Sequence, residues 1–97
     1  MKIVLHAPSI DGVRRARSNA LNLAKDFPDL EVKIVINADG VPAALDQPDE
    51  KTDALLLVCR NTLAKLGREA APHLTTVASG VMALAQMQVE GWTYIRS

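Results

Sequence analysis

The only cysteine of the 97-residue chain, Cys59, ends its most apolar stretch, Ala54-Leu55-Leu56-Leu57-Val58-Cys59, and is followed by Arg60, Asn61 and Thr62. A thiol placed where a strand hands over to a helix meets free backbone N–H groups and a positive dipole end, which favour thiolate over thiol. Arg60 adds a neighbouring positive charge. A thiolate of this kind is a nucleophile able to form and break bonds to sulfur. In an open α/β sheet, ligands bind beyond the carboxyl ends of the strands. That edge is expected to display His6, Asn37, Gly40 and Ser79 beside Arg60, Asn61 and Thr62. The opposite reading is that Cys59 packs in the core, since cysteine is among the most buried residue types. The residues alone leave both open.

Other chemistries find no footing. A lone cysteine forms no intrachain disulfide, no Cys-x-x-Cys redox pair and no cysteine-rich zinc site. Without a resolving thiol, the chain is not a self-contained disulfide reductase. The two histidines, His6 and His73, are far apart in sequence, and no metal site or organic cofactor is expected. His6 touches Cys59 only if their strands are neighbours, because adjacent strands lie about 4.8 Å apart. His73, beside Pro72, reads as a surface residue. Arg14, Arg15 and Arg17 oppose the dipole at the start of a helix, a tension that an anion would relieve; they read as solvated. The glycines at 12, 40, 67, 80 and 91 fit neither Gly-x-Gly-x-x-Gly nor a P-loop, and no Gly-x-Ser-x-Gly elbow occurs.

The elements that must position these residues alternate in period. Ile3-Val4-Leu5 reads as a strand ending before Pro8. Val13, Ala16, Ala20, Leu23, Ala24 and Phe27 then fall at helical spacing, closed by Pro28-Asp29. Val32 to Ile36 reads as a second strand, with a turn at Asn37-Ala38-Asp39-Gly40 and a helical turn over Val41–Leu45. Asp46–Asp53 reads as a charged surface loop. Ala54–Cys59 shows no alternation and suits a strand buried on both faces. Asn61 and Thr62 are N-cap types before a short helix stopped by Gly67. Leu74–Ala78 is a weak fourth strand, Ser79 a cap for a helix over Gly80–Glu90, and Trp92–Ile95 a fifth strand. Strands alternating with helices predict a single α/β domain over residues 1–97 with a parallel sheet.

Composition narrows the class further. Lys+Arg 11 against Asp+Glu 11 gives no net charge, which argues against nucleic acid or an anionic membrane surface as partner. A hydrophobic share of 48% is too high for disorder. The N-terminus lacks the roughly 7–15 apolar residues of a secretory signal, and no run approaches the ~18 of a membrane span. A cytoplasmic protein is expected. The last helix, with Val81, Met82, Ala83, Leu84, Ala85, Met87 and Val89, is apolar nearly all round and calls for a second surface to cover it.

Four segments in order carry a family resemblance: Val4-Leu5-His6, Asn19-Ala20-Leu21-Asn22-Leu23, Cys59-Arg60-Asn61-Thr62-Leu63, and Gln88-Val89-Glu90-Gly91-Trp92-Thr93-Tyr94-Ile95-Arg96. Together they resemble the DsrE/DsrF-like family of small intracellular sulfur-metabolism proteins, in its stand-alone, mostly uncharacterised branch. The resemblance implies a three-layer α/β/α fold with a five-stranded, mainly parallel sheet. It implies a strand order with the second strand between the first and third, and a homo-oligomer, commonly a trimer or hexamer. It also implies that Cys59 accepts sulfur as a persulfide from a donor protein and passes it to an acceptor thiol. One departure is plain: relatives often carry more chain before the third strand, where this sequence has only Asp46–Asp53. Two other functions stand beside the carrier, both with a structural Cys59: a module binding a small anion or nucleotide at the strand ends, and an oligomeric interaction subunit.

Overall fold

The apolar runs expected to be strands do pair, and every pairing is parallel. The structure, a computed structural model, describes residues 1–97. In chain order the elements are β1 (Lys2–Ala7), α1 (Ile10–Asp26), β2 (Glu31–Ile36), α2 (Gly40–Asp46), a 3-10 turn (Asp53–Leu55), β3 (Leu56–Cys59), α3 (Arg60–Leu66), β4 (Thr75–Val77), α4 (Gly80–Val89) and β5 (Thr93–Arg96). They form a single five-stranded sheet in the order β4-β3-β2-β1-β5, flanked by helices. β2 lies between β1 and β3, as the resemblance implies.

Strand order dictates which helix covers which face. The chain steps in one direction through β1, β2, β3 and β4, so right-handed crossovers put α1, α2 and α3 on the same face. From β4 it returns across the whole sheet to β5, and the same handedness sends α4 to the other face. The packing agrees. A main core of 15 buried residues joins Ile3, Leu5, Ile34, Ile36, Leu56 and Val58 of the strands to Val13, Ala16 and Ala20 of α1, Val41 of α2 and Leu63 of α3. On the α4 side the hydrophobic cluster has only four buried residues, Val4, Val35, Leu84 and Met87, with Leu57 and Trp92 partly buried beside them. A single ten-residue helix is the entire third layer.

Ser79 and Gly67 cap helices where the sequence places them, and Ser9 is a further cap. Ser9 Oγ accepts the Gly12 N–H at 2.9 Å to start α1, and Ser79 Oγ accepts the Met82 N–H at 3.3 Å to start α4. Gly67, at φ 64°, closes α3 in a Schellman motif: its N–H bonds Ala64 O while the Arg68 N–H reaches Leu63 O.

Several expectations are corrected. Ala54 and Leu55 wind into the 3-10 turn, so β3 starts at Leu56, and Leu57 is only half covered because α4 does not span that side. Asn61 and Thr62 lie inside α3, whose N-cap is Cys59 itself, made by backbone alone. The last turn of α1 runs past the sheet, leaving Ala24 and Phe27 in solvent.

The segment Asp46–Asp53 is not simply a surface loop, nor is Arg17 solvated. Arg17, Thr52 and Asp53 are all buried. Arg17 Nη1 donates to Thr52 Oγ1 at 2.7 Å and Asp53 Oδ1 at 2.8 Å, and Nη2 donates to Gln47 O at 3.1 Å. Asp53 Oδ1 also accepts the Asp49 N–H, and Oδ2 meets His73 Nε2 at 2.9 Å. Two long-range partners for one buried carboxylate tie α1 and the segment before β4 to the start of β3. His73 is more than half exposed, as expected, but it is not free.

Candidate functional site

Strand alternation decides which side chains share the site. The registers Val4↔Lys33, His6↔Val35 and Val35↔Leu57 put Val4, His6, Val35, Leu57 and Cys59 on the α4 face. Asn37, one residue past β2, continues that face level with Cys59. At the carboxyl edge the strand-end loops and the start of α4 leave a cleft of about 410 Å³, lined in part by Asn37, Asp39, Cys59, Asn61, Thr62, Lys65, Ser79 and Gly80.

Cys59 is 5% exposed. Burial pushes its thiol up, but hydrogen bonds from the Thr62 hydroxyl and from the N–H groups of Thr62, Gly80 and Asn61 outweigh it. The net result is a thiol below its ordinary range. Its donors come from two helices, since Asn61 and Thr62 open α3 while Gly80 opens α4. The Thr62 hydroxyl is aimed from behind: its oxygen accepts the Ala38 N–H at 3.2 Å, which leaves its proton for the sulfur. Ala38 itself stands at φ 48°, the one non-glycine residue of the chain in the left-handed region. An L-residue held there stores about 1–2 kcal/mol, and such strain gathers at working sites.

Of the residues singled out from sequence, Cys59, Asn37, Asn61, Thr62 and Ser79 line this cleft. His6 does not reach Cys59, because β2 intervenes. Instead His6 Nε2 bonds Asn37 Oδ1 at 2.8 Å, and Nδ1 bonds the Tyr94 hydroxyl at 2.6 Å. Gly40 is a packing residue: a Cβ there would stand 2.3 Å from Ala7 O, so only glycine lets α2 press on the end of β1. Arg60 turns away, lining a separate groove with Arg68, Glu69 and Leu74; it does not supply the positive charge expected beside the thiol. Sequence reading missed Lys65, the Gly80 N–H and Tyr94. The first was passed over as one of many lysines and arginines, the second has no side chain to read, and the third stands 88 residues from its partner.

No protein-family model and no curated protein matches the chain. Among solved structures it is similar to MTH1491 from Methanobacterium thermoautotrophicum, a protein of unknown function. The two share 27% sequence identity and superpose with a TM-score of 0.82, over 99% of this chain and 98% of that one. The whole α/β domain, with no large insertion on either side, is thus common to both chains.

Proposed function

We propose that the protein is a sulfur carrier of the DsrE/DsrF-like kind, taking sulfur on Cys59 as a persulfide and passing it to a partner thiol. The observation that carries this reading is the position of Cys59 in a cleft at the carboxyl edge of the sheet, between the starts of two helices whose Asn61, Thr62 and Gly80 line it and hold the thiol below its ordinary range. A core cysteine needs no such setting; a thiolate or a terminal persulfide anion does. Cys59 Sγ attacks the outer sulfur of a donor R–S–SH. The new S–S bond forms as the donor's S–S bond breaks, and the electron pair leaves on R–S⁻. An acceptor thiolate later attacks the sulfur held on Cys59, becomes R′–S–SH, and returns Cys59 to the thiolate. Sulfur moves at one oxidation level throughout, so the exchange uses no metal, organic cofactor or outside oxidant.

Donor and acceptor are proteins or small thiols of a reducing, cytoplasmic setting, where a single unpaired cysteine is kept free. No helix of the chain is long and apolar enough to cross a membrane. Self-association as a trimer or hexamer is part of the same reading. It is supported by the thin third layer, on which Val81, Met82 and Val89 stand 65–84% exposed.

The direct test is intact-protein mass spectrometry after exposure to polysulfide, wild type against Cys59→Ser, with alkylation of the native protein alongside. A reducible gain of sulfur in wild type alone is expected. A Cys59 that neither loads nor alkylates until the protein is unfolded would overturn the carrier reading.

A further inference from the structure

Side chains of β5, β1 and β3, with Asn37 just past the end of β2, form a row across the α4 face that ends at the sulfur site. Tyr94 of β5 is in register with Val4, two residues before His6 on β1. His6 is in register with Val35, two residues before Asn37. Asn37 stands level with Cys59 at the end of β3, by extension of the Ile36↔Val58 pair. The row therefore climbs toward the carboxyl edge as it crosses from β5 to β3.

The hydrogen bonds give the row a direction. Asn37 Oδ1 only accepts, so His6 Nε2 must carry the proton it donates at 2.8 Å. On the tautomer with its proton on Nε2, Nδ1 is an acceptor, and the Tyr94 hydroxyl donates to it at 2.6 Å. With Oδ1 engaged by His6, the amide is fixed in one of its two flips, and its N–H bonds lie on the other side. That side is beside Gly80: Asn37 Nδ2 is 3.4 Å from where a Gly80 Cβ would stand, and Asn37 Cβ 3.0 Å. Gly80 lines the same cleft as Cys59, and its N–H is one of the groups that lower the thiol. The missing side chain at position 80 lets the start of α4 close onto both Asn37 and Cys59.

We infer that Tyr94, His6 and Asn37 are positioning residues for the sulfur site, holding the Asn37 amide with its N–H bonds toward the cleft so that Cys59 reacts preferentially with anionic sulfur compounds. This rests on the carrier reading and adds the substrate class: inorganic polysulfide or a deprotonated persulfide rather than a neutral disulfide. Fixed amide donors stabilise negative charge in a site without having to reorient when it arrives. The charged groups sharing the cleft are Lys65 on α3 and Asp39 before α2, nearly balanced between themselves. The polarity of the inner wall is accordingly left to Asn37 and the backbone donors.

Cys59 is the only thiol, so its reactivity reads without background. The experiment compares alkylation by anionic iodoacetate and neutral iodoacetamide across pH 5–10, with polysulfide loading followed by mass spectrometry in parallel. The proteins are wild type, Tyr94→Phe, His6→Leu, His6→Gln, Asn37→Leu and Asn37→Asp, each checked for an intact melt. His6→Leu and Asn37→Leu should lower the iodoacetate-to-iodoacetamide ratio several-fold and slow polysulfide loading with it, Tyr94→Phe less so. Asn37→Asp puts a like charge beside the thiolate and should move its titration upward by about one pH unit, roughly tenfold in thiolate below that range. Gln at position 6 keeps a donor where Nε2 stood and should restore most of the ratio. Wild type that loads sulfur, with folded His6→Leu and Asn37→Leu variants that match it in ratio and rate, would overturn the inference and leave the carrier standing. Wild type that takes up no sulfur would overturn both.

Discussion

Replacing Arg17 by Met should cost this protein about a third of its stability. The substitution keeps the aliphatic stem of Arg17 in the seam between α1 and the segment before β3 but removes the guanidinium. Three hydrogen bonds go with it, to Thr52 at 2.7 Å, Asp53 at 2.8 Å and Gln47 O at 3.1 Å. Thr52 is fully buried and the Asp53 carboxylate almost so. Stripping one partner from a buried ion pair costs about 3–5 kcal/mol, mostly because the remaining charge stays buried. Asp53 retains the Asp49 N–H at 3.3 Å and the half-exposed His73 ring at 2.9 Å, which argues for the lower end, about 3 kcal/mol. Against the ~5–15 kcal/mol typical of a domain this size, that is a large share. At 4–8 °C per kcal/mol it is a fall of roughly 12–24 °C in Tm. Urea and thermal denaturation followed by circular dichroism at pH 7 measure it. The double variant Arg17→Met/Asp53→Leu should recover more than half, since no charge is then stranded. A loss under 1 kcal/mol in Arg17→Met would refute the reasoning and class the pair with exposed ones.

The same cluster sets a pH dependence. Burial pushes the Asp53 carboxyl up, but hydrogen bonds from His73, Arg17 and the Asp49 N–H outweigh it, so it lies below its ordinary value. A carboxylate depressed in the folded state stabilises fully above its unfolded value, about 3.9, and loses that contribution as pH falls through the folded one. Wild-type stability should therefore decline below about pH 4, and Asp53→Asn, weaker at neutral pH, should flatten that decline.

Two glycine exchanges probe the site's backbone. Ala38→Gly relieves the left-handed strain at φ 48° and should raise stability by roughly 0.5–1 kcal/mol, while loosening the Ala38 N–H that aims the Thr62 hydroxyl. Its Cys59 titration, followed by thiolate absorbance, should then move up toward the ordinary thiol range. Gly40→Ala forces a Cβ to within 2.3 Å of Ala7 O, so α2 must move off β1, and a melt should show a loss of roughly 1–3 kcal/mol.

The alternation of strands and helices was legible because the apolar runs change period at turn and cap signals, of which the chain uses Gly67 and Ser79 as read, while the Ser9 cap of α1 was not read. Cys59 was legible as the end of an unbroken apolar run. Arg17 was misread because composition near a helix start was weighed instead of position. It follows Ala16 and stands four residues after Val13, on the stripe that faces the sheet, and a charge on that stripe must have a partner. Asp53 could not be named as that partner, since nothing local distinguishes it from Asp46 or Asp49. Arg60 was misread for the opposite reason: adjacency to Cys59 was taken as proximity, although alternation sends neighbouring side chains to opposite faces. Asn37 was seen but its bond to His6 was not, although the strand order that the resemblance implies already puts β2 beside β1.

The two ends of β3 thus do different work. The 3-10 turn that leads into it is clamped by Arg17 and His73 through Asp53, and its end presents Cys59 to the cleft, six residues and roughly 16 Å later. Sites so far apart with no shared partner add without coupling. Arg17→Met should therefore lower the melting temperature and leave the Cys59 titration in place wherever the protein is folded, while Ala38→Gly should do the reverse. If Arg17→Met instead moved the thiol's titration, β3 would have to be transmitting strain from its anchor to its tip. The donors around Cys59 would then be held by the clamp rather than by the loops that carry them. The contacts favour the loops: Thr62 is steadied by Ala38, and Gly80 closes against Asn37, all within the carboxyl edge itself.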